Sequence, residues 1–439
     1  MPRPGSEWSL PGRACPAPTR PTALLNLRKV LVVGLARSGE AAALALARRG
    51  TAVLGVDRRA DLDAGRLRAA GVEVVLGAED PALLEGVDLL VKSPGVPRET
   101  ALVTAARERG LTIWSEIELG GVLLANPVLG VTGTNGKTTT TELLGAVFRA
   151  AGRAVAVAGN VGRPLTGLDG VIAPDAWVVC ELSSFQLEDI HAFRPRVAVL
   201  LNLTPDHLDR HGTFEDYRAA KLRVFENQQE DDVAVVPRGF DAIPGRGRRI
   251  EFAADDQLPA EPLIPGEHNR ENAAAATAAA RAAGIADDAI AKALRTFAGV
   301  PHRLELVREV GGVRFVNDSK ATNPEAAERA LSAYPPGLRV ILGGSRKGAS
   351  YKGLARTARV AGVSCAYVIG EAADDIAEAL ASQGVRFRHS GDLDTAVREA
   401  FADAEAGEVI LLSPACASYD QFRDFEERGE RFRELVESL

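Results

Sequence analysis

The chain has 439 residues, of which 46% are hydrophobic and 25% charged, with a formal net charge of −7. At roughly 100–200 residues per domain this length predicts two to four domains, and the composition is that of a globular protein able to bury several cores. The acidic balance excludes nucleic acid as the main partner, because a phosphate backbone selects a basic face, but it leaves room for small anionic substrates that need only local positive charge.

Residues 1–26 are rich in proline and arginine and lack the apolar core of a signal peptide. They read as a disordered extension or as a start placed too early. No apolar run reaches the roughly 18–20 residues that cross a bilayer, so no membrane partner is expected. Cys15, Cys180, Cys365 and Cys416 lie far apart without CxxC or Cys/His metal spacing, which fits a reducing, cytoplasmic compartment.

From Leu27 onward, strand and helix signals alternate. KVLVV (29–33) reads as a buried strand, 39–49 as a helix ending at Gly50, 52–56 as a strand ending at Asp57, and 87–91 as a strand before Ser93-Pro94-Gly95. A second unit opens near Asn126-Pro127 with a strand over 127–131 and a helix over 139–151. It continues with strands 177–180 and 197–201, a helix from Phe214 to Asn227, Pro/Gly-rich loops with short edge strands over 238–265, and an Ala-rich helix over 273–283. A third unit starts near Val300-Pro301, with strands at 313–316, 338–342, 366–369 and 408–412. This alternation predicts an α/β fold of three domains, each Rossmann-like or P-loop-type with a largely parallel sheet. The expected divisions are 27–126, 127–299 and 300–439.

The polar residues gather where strands end. Thr132-Gly133-Thr134-Asn135-Gly136-Lys137-Thr138 lies between a strand and a helix, so its amides and the helix dipole can face phosphate oxygens. Lys137 can neutralise phosphate charge and the Thr138 hydroxyl can hold Mg²⁺. The strict motif fails by one residue: it needs glycine at 131, where Val131 stands, and the nearest upstream glycine is Gly130. Glu181 follows the strand WVVC, where an acid can coordinate Mg²⁺ beside a phosphate loop. His207 follows the strand over 197–201. Lys221, taken from its own stretch, reads as a solvated helix lysine.

In the third unit, three strands empty into Asn317-Asp318-Ser319-Lys320, Gly343-Gly344-Ser345-Arg346-Lys347-Gly348 and Ser413–Ser418. These loops could cradle a carboxylate-bearing substrate. In the first unit, Gly34-Leu35-Ala36-Arg37-Ser38-Gly39 with Asp57 downstream resembles a dinucleotide fingerprint whose middle glycine is Ala36. NAD and other nucleotide diphosphates are equally open from that spacing.

GVTGTNGKTT (130–139), GNVG (159–162), ELSSFQLE (181–188), TPDHLDRH (204–211), YRAAKLR (217–223), GEHNREN (266–272), PHRLE (301–305), NDSKATNP (317–324) and SPACASYDQFRDFEERG (413–429) resemble, in order, the Mur ligase family and its D-glutamate-adding branch. The similarity runs from about residue 29 to the end of the chain. That family tolerates the displaced first glycine.

The resemblance implies three substrates: UDP-N-acetylmuramoyl-L-alanine, D-glutamate and ATP. For ATP it implies Gly133, Thr134, Asn135, Gly136, Lys137, Thr138, Thr139, Asn269, Asn272, Arg303 and Asp318. For the UDP-substrate it implies Leu35, Ala36, Asp57, Arg58, Gly95, Asn160 and Ser183, and for D-glutamate Thr322, Lys347, Ser418 and Phe425. Two Mg²⁺ ions follow, one served by Thr138 and Glu181, the other by His207 and by Lys221 as a carbamate, whose anionic oxygen suits Mg²⁺. Lys137, Glu181, His207, Lys221 and Arg303 would carry catalysis, in a monomer whose last domain closes about a hinge near 299–301. Three features depart from the family: Arg346 stands where an acid commonly precedes the lysine, the stretch 230–265 looks trimmed, and the proline-rich start has no counterpart.

The implied chemistry is activation of the alanine carboxylate as an acyl phosphate, followed by attack of the D-glutamate amine. The amine must lose a proton, and His207 is one candidate to take it. Other Mur-type ligases and folylpolyglutamate synthase are rivals within the class. An NAD-dependent dehydrogenase rests on the first unit alone and leaves the Lys137 loop without a role. A P-loop binding protein would release phosphate regardless of added amino acid.

Overall fold

The computed structural model describes residues 27–264, 266–346 and 349–439. Strands and helices alternate and build three α/β sheets. The first holds β1 (Lys29–Val33), β2 (Ala52–Asp57), β3 (Glu73–Leu76), β4 (Leu89–Lys92) and β5 (Thr112–Ser115) in the order β3-β2-β1-β4-β5, all parallel. The second holds β6 (Val128–Thr132), β7 (Val155–Gly159), β8 (Trp177–Glu181), β9 (Val197–Leu200), β10 (Val233–Pro237) and β11 (Arg248–Phe252). Its order is β11-β10-β9-β6-β8-β7, again all parallel. The third holds β12 (Glu305–Val310), β13 (Val313–Asn317), β14 (Leu338–Gly343), β15 (Cys365–Ile369), β16 (Phe387–Gly391) and β17 (Val409–Leu412) in the order β12-β13-β17-β14-β15-β16. Only the β12–β13 edge pair is antiparallel.

The central strands are largely apolar because helices cover both faces of a parallel sheet. Along β1, Val30 and Val32 enter one core while Leu31 and Val33 enter the core on the opposite face. In β14, Val340 and Leu342 face one core and Ile341 the other. Burying each such side chain stabilises the fold by about 1.5–3 kcal/mol.

The chain divides into two compact units. One comprises the residues up to Pro259 with Glu271–Lys292, and so holds the first two sheets. The other comprises Ala260–Arg270 with Ala293–Leu439 and holds the third.

Topology decides where polar residues collect. In the first sheet β1 and β4 are neighbours, but the chain leaves them in opposite directions. In the second sheet β6 lies between β8 and β9, and in the third β17 lies between β13 and β14. The carboxyl ends of strands at such reversals open a crevice that no crossover covers. Among the described residues no helix is long and apolar enough to cross a membrane.

Candidate active site

The loop after β6 is short, since β6 runs to Thr132. Gly130 therefore lies inside the strand, where a Cβ would stand 2.8 Å from Leu182 and 3.2 Å from Pro195. That close packing, rather than loop curvature, explains the displaced glycine. Gly136 is the N-cap of the helix Lys137–Ala150 and has φ 82°. A side chain there would be strained and would also collide with the Asn272 amide. Gly136 offers no capping side chain, so no N-cap side chain satisfies the first-turn N–H groups of the helix, an arrangement that suits an anion.

Asn202, just past β9, pins the loop. Its carbonyl oxygen accepts from the Thr134 amide at 2.9 Å, its Oδ1 accepts from the Asn135 amide at 2.8 Å, and its Nδ2 donates to the Asn135 oxygen at 3.2 Å. The hydroxyls of Thr134 and Tyr217 lie 3.0 Å apart. Lys137 folds over the loop, donating to the Gly133 and Thr134 oxygens at 2.9 and 2.7 Å. Thr138 and Thr139 are buried in the first turn of the helix.

β8 runs beside β6, with Val131 opposite Glu181. Glu181 is 2% exposed. Its Oε1 accepts from Asn160 Nδ2 at 2.9 Å, while its buried Oε2 has no hydrogen-bond partner. A buried carboxylate oxygen left unsatisfied costs about 1–3 kcal/mol or more, and a hard cation is the ligand that would satisfy it. The hydroxyl of Thr138 and the carboxylate of Glu181 are both hard oxygen donors, so the residues present fit Mg²⁺. Among the described residues no three His, Cys, Asp or Glu side chains gather as a metal cluster. Ser183 is half-buried and caps the short helix Ser184–Leu187 in a reciprocal capping box with Gln186.

His207 carries a left-handed backbone (φ 52°), and its side chain is 50% exposed, with the ring centroid 5.0 Å from that of Phe185. Lys221 is not the solvated lysine that its stretch suggests. It is 2% exposed and donates to the Gly133 oxygen at 2.7 Å. Burial first, and then the charge of Lys137, bring its pKa down to about 7. The helix that carries it is Phe214–Leu222, shorter than anticipated, and a tighter turn follows at Arg223–Phe225.

A pocket of about 230 Å³ opens where β1 and β4 diverge, lined by Gly34, Ala36, Asp57, Arg58, Ser93 and Gly95 among others. Leu35 is buried beneath it, and its amide donates to Asp57 Oδ2 at 2.8 Å. Burial works to raise the Asp57 pKa, but bonds from the Arg59 side chain and from the Arg59 and Leu35 amides outweigh it and hold it at about 2. Arg59 grips both oxygens, Nε on Oδ1 and Nη2 on Oδ2, each at 3.0 Å. The acceptor that a dinucleotide fingerprint reserves for a ribose is thus already engaged.

In the second compact unit, Asp318 follows β13 and is buried. Burial pushes its pKa up to about 7, against hydrogen bonds from Ser413 Oγ (2.7 Å) and the Leu304 amide (3.2 Å). Arg303 stands between two residues with left-handed backbones, His302 (φ 61°) and Leu304 (φ 45°). Such conformations cost on the order of 1–3 kcal/mol and persist only where surroundings enforce them. Here the His302 ring packs against Gly429, and its Nδ1 meets Asn317 Nδ2 at 3.0 Å. Asn269 and Asn272 sit three residues apart on the helix Glu267–Ala282, and Asn272 belongs to the unit of the Lys137 loop.

Thr322 is half-buried, and its amide donates to the Lys320 oxygen. Ser418 is buried after β17, and Phe425 opens the final helix under an Asp424 cap. Lys347 lies outside the described residues. Sequence reasoning passed over Arg428, which is buried on the final helix and donates to Ser319 Oγ, Ser319 O and Cys416 O at 2.9, 2.8 and 3.1 Å. An arginine inside the closing segment FEERG was the available signal.

Comparison with known proteins adds independent findings. Residues 28–115 match the Mur ligase MurD-like N-terminal domain, 131–244 the Mur ligase middle domain and 302–416 the Mur ligase glutamate ligase domain. A protein of Acidobacterium capsulatum described as UDP-N-acetylmuramoylalanine–D-glutamate ligase is 43% identical, over 94% of this chain and 96% of its own length. One of Pelotomaculum thermopropionicum with the same description is also 43% identical, over 94% and 98%. The crystal structure of MurF ligase from Thermotoga maritima in complex with ADP shares the fold, with a TM-score of 0.57 at 19% identity over 88% of this chain and 95% of that one.

Proposed function

Since the chain belongs to the Mur ligase family, we propose that it is the ATP-dependent ligase that joins D-glutamate to UDP-N-acetylmuramoyl-L-alanine. It would act as a monomer in cytoplasmic peptidoglycan precursor synthesis. The observation that carries this reading is the pairing of the Lys137 loop with Glu181 on the adjacent strand, where a buried carboxylate oxygen lacks a partner. Residues 27–126 take the UDP-substrate, 127–299 take ATP, and 300–439 take the amino acid.

A carboxylate and an amine do not condense unaided in water. The alanine carboxylate oxygen attacks the γ-phosphorus of ATP, the bond to the β,γ-bridging oxygen breaks, and ADP leaves. The D-glutamate amine then attacks the acyl-phosphate carbonyl. The amide forms, and phosphate departs with one oxygen of the former carboxylate.

The first step brings an anion onto a polyanion, so preorganised positive charge is the chief requirement. Lys137 and the loop amides from Gly133 to Thr139 hold the phosphates, and Arg303 meets the γ-phosphate. Asn269, Asn272 and Asp318 contact the nucleoside. Leu35, Ala36, Asp57, Arg58 and Gly95 hold the UDP end, and Asn160 and Ser183 face the muramoyl-alanine end. Thr322, Lys347, Ser418 and Phe425 surround D-glutamate.

Mg²⁺ supplies charge neutralisation and Lewis acidity when bound. Thr138 and Glu181 would hold one ion, and His207 and Lys221 a second. Lys221 serves as a carbamate. An amine whose pKa is near 7 is substantially neutral at physiological pH, and a neutral amine adds CO₂ with loss of one proton. Carbon-13 NMR of protein equilibrated with labelled bicarbonate should show one carbamate signal that Lys221→Met removes.

The assay that tests the whole reading is phosphate release from ATP with UDP-N-acetylmuramoyl-L-alanine and single amino acids. D-Glutamate alone should stimulate it. Release that ignores the amino acid, or that follows L-alanine, lysine or a diamino acid instead, would refute the assignment.

A further inference from the structure

Beyond the residues named above, the first compact unit contains a buried charge network that joins the β1/β4 pocket to the segments that follow Glu181 and His207. Lys92 ends β4, directly before the turn 93–97 that lines the pocket. It is 1% exposed, and its ammonium lies 3.1 Å from Asp189 and 3.9 Å from Glu188, on the segment that follows Glu181 and Ser183. Asp189 is also approached by Arg107 at 3.5 Å, and its carbonyl accepts from the Ser115 amide at the end of β5. Glu188 reaches His211 Nδ1 at 3.5 Å, while His211 Nε2 meets Ser184 Oγ at 2.9 Å.

A second tether runs from the other loop. Arg210, three residues after His207, donates to the Val96 oxygen at 3.1 Å and lies over the Phe185 ring at 3.9 Å. Glu118 completes the seam, accepting from the amides of His191, Ala192 and Phe193 at 2.8–2.9 Å.

Buried ion pairs contribute little net stability compared with apolar residues of the same shape. Their distinctive effect here is geometric: both tethers start at or directly before the turn that walls the pocket and end on the segments that follow Glu181 and His207. We infer that Lys92 and Arg210 are positioning residues that set the distance between the pocket and the segments that follow Glu181 and His207. A nucleotide-sugar peptide anchored at one end thereby presents its carboxylate at the other. This rests on the ligase reading above. Misplacement of a reacting group by about 1 Å costs on the order of a hundredfold in rate, so tethers of this kind have leverage on catalysis without touching substrate.

The test uses the full chain. Lys92→Met alone removes the buried partner of two buried carboxylates, so it is paired with the triple variant Lys92→Met/Glu188→Gln/Asp189→Asn, which leaves no buried charge unpaired and frees only the part-exposed Arg107. Arg210→Ala is made separately, with Arg210→Lys as the conservative rescue. Wild-type phosphate release that depends on D-glutamate, run alongside, tests the ligase reading by itself. With that activity present, kcat/KM for the UDP-substrate should fall about tenfold in the triple variant and in Arg210→Ala, and recover in Arg210→Lys. The Kd for UDP alone and the KM for ATP should stay within about twofold, because each end remains intact. An unchanged kcat/KM would overturn the inference. So would a parallel loss of UDP affinity, which would assign Lys92 and Arg210 to the pocket itself.

Discussion

After β1 and again after β6 the chain passes from a strand into a glycine turn and then into a helix N-terminus, yet the polar atoms gathered at the two places differ. The β6 loop brings a lysine over the turn and faces a buried glutamate with an unpartnered oxygen. The β1 loop faces an aspartate already clasped by Arg59 and the Leu35 amide. On the proposed reading, the shared scaffold suits both loops to nucleotides. The difference in available charge then suits the β6 loop to a polyphosphate undergoing attack. Loop shape therefore selects a class of ligand, and the side chains from neighbouring strands select the chemistry.

The most forceful way to break this comparison is Lys137→Ala. Removing the cation over the β6 loop should lower kcat/KM by about a thousandfold, the scale of losing one preorganised charge at a transition state. UDP binding, measured by calorimetry, should not change. A small effect on turnover would place the phosphate chemistry elsewhere.

A second variant asks how tightly the two loops are built into one folding unit. Glu116, on the helix Glu116–Leu123 after the first sheet, is fully buried. It accepts from the Thr166 amide and hydroxyl at 2.6 and 2.7 Å, while its Oε2 has no partner. Burial raises its pKa from 4.5 to about 7 against those bonds. A raised folded pKa means that the native state holds the proton more tightly than the unfolded chain does. Its contribution is complete below the unfolded pKa and is lost as pH rises through about 7. Glu116→Gln should therefore match the wild type near pH 5 and exceed it by up to about 3 kcal/mol at pH 8, at 1.36 kcal/mol per pKa unit. Chemical denaturation at the two pH values checks this. A variant less stable at pH 8 would show that the carboxylate is satisfied.

The smallest effect belongs to the β1 loop. Asp57→Ala frees Arg59 and should raise KM for the UDP-substrate by about tenfold, the worth of one charge-assisted contact. KM for ATP should remain unchanged. A matching rise for ATP would erase the distinction between the two loops.

Much of this was legible in the sequence, because parallel sheets announce themselves as short apolar runs that end in polar residues. WVVC before Glu181 and KVLVV before Gly34 are such runs, and both strands stand where the pattern puts them. β10 escaped notice because its apolar run, VAVVP, abuts a Pro/Gly-rich stretch that reads as loop. β3, β12 and β16 lie at sheet edges, where one-sided burial blurs the pattern. The partners of buried charges were hidden for a different reason. Nothing local in VDLLVK distinguishes Lys92 from a solvated strand end, since Glu188 and Asp189 are about a hundred residues away in sequence. Asp57 sits at the spacing of a ribose acceptor, and only the fold reveals that Arg59 holds it.

Isotope transfer tests the central claim most directly. UDP-N-acetylmuramoyl-L-alanine labelled with oxygen-18 in its carboxylate is turned over with ATP and D-glutamate, and the released phosphate is analysed by mass spectrometry. Activation as an acyl phosphate predicts one labelled oxygen in each phosphate and the other in the new amide. Phosphate carrying only unlabelled oxygen would mean that water, and not the substrate carboxylate, attacks ATP, and would contradict the account.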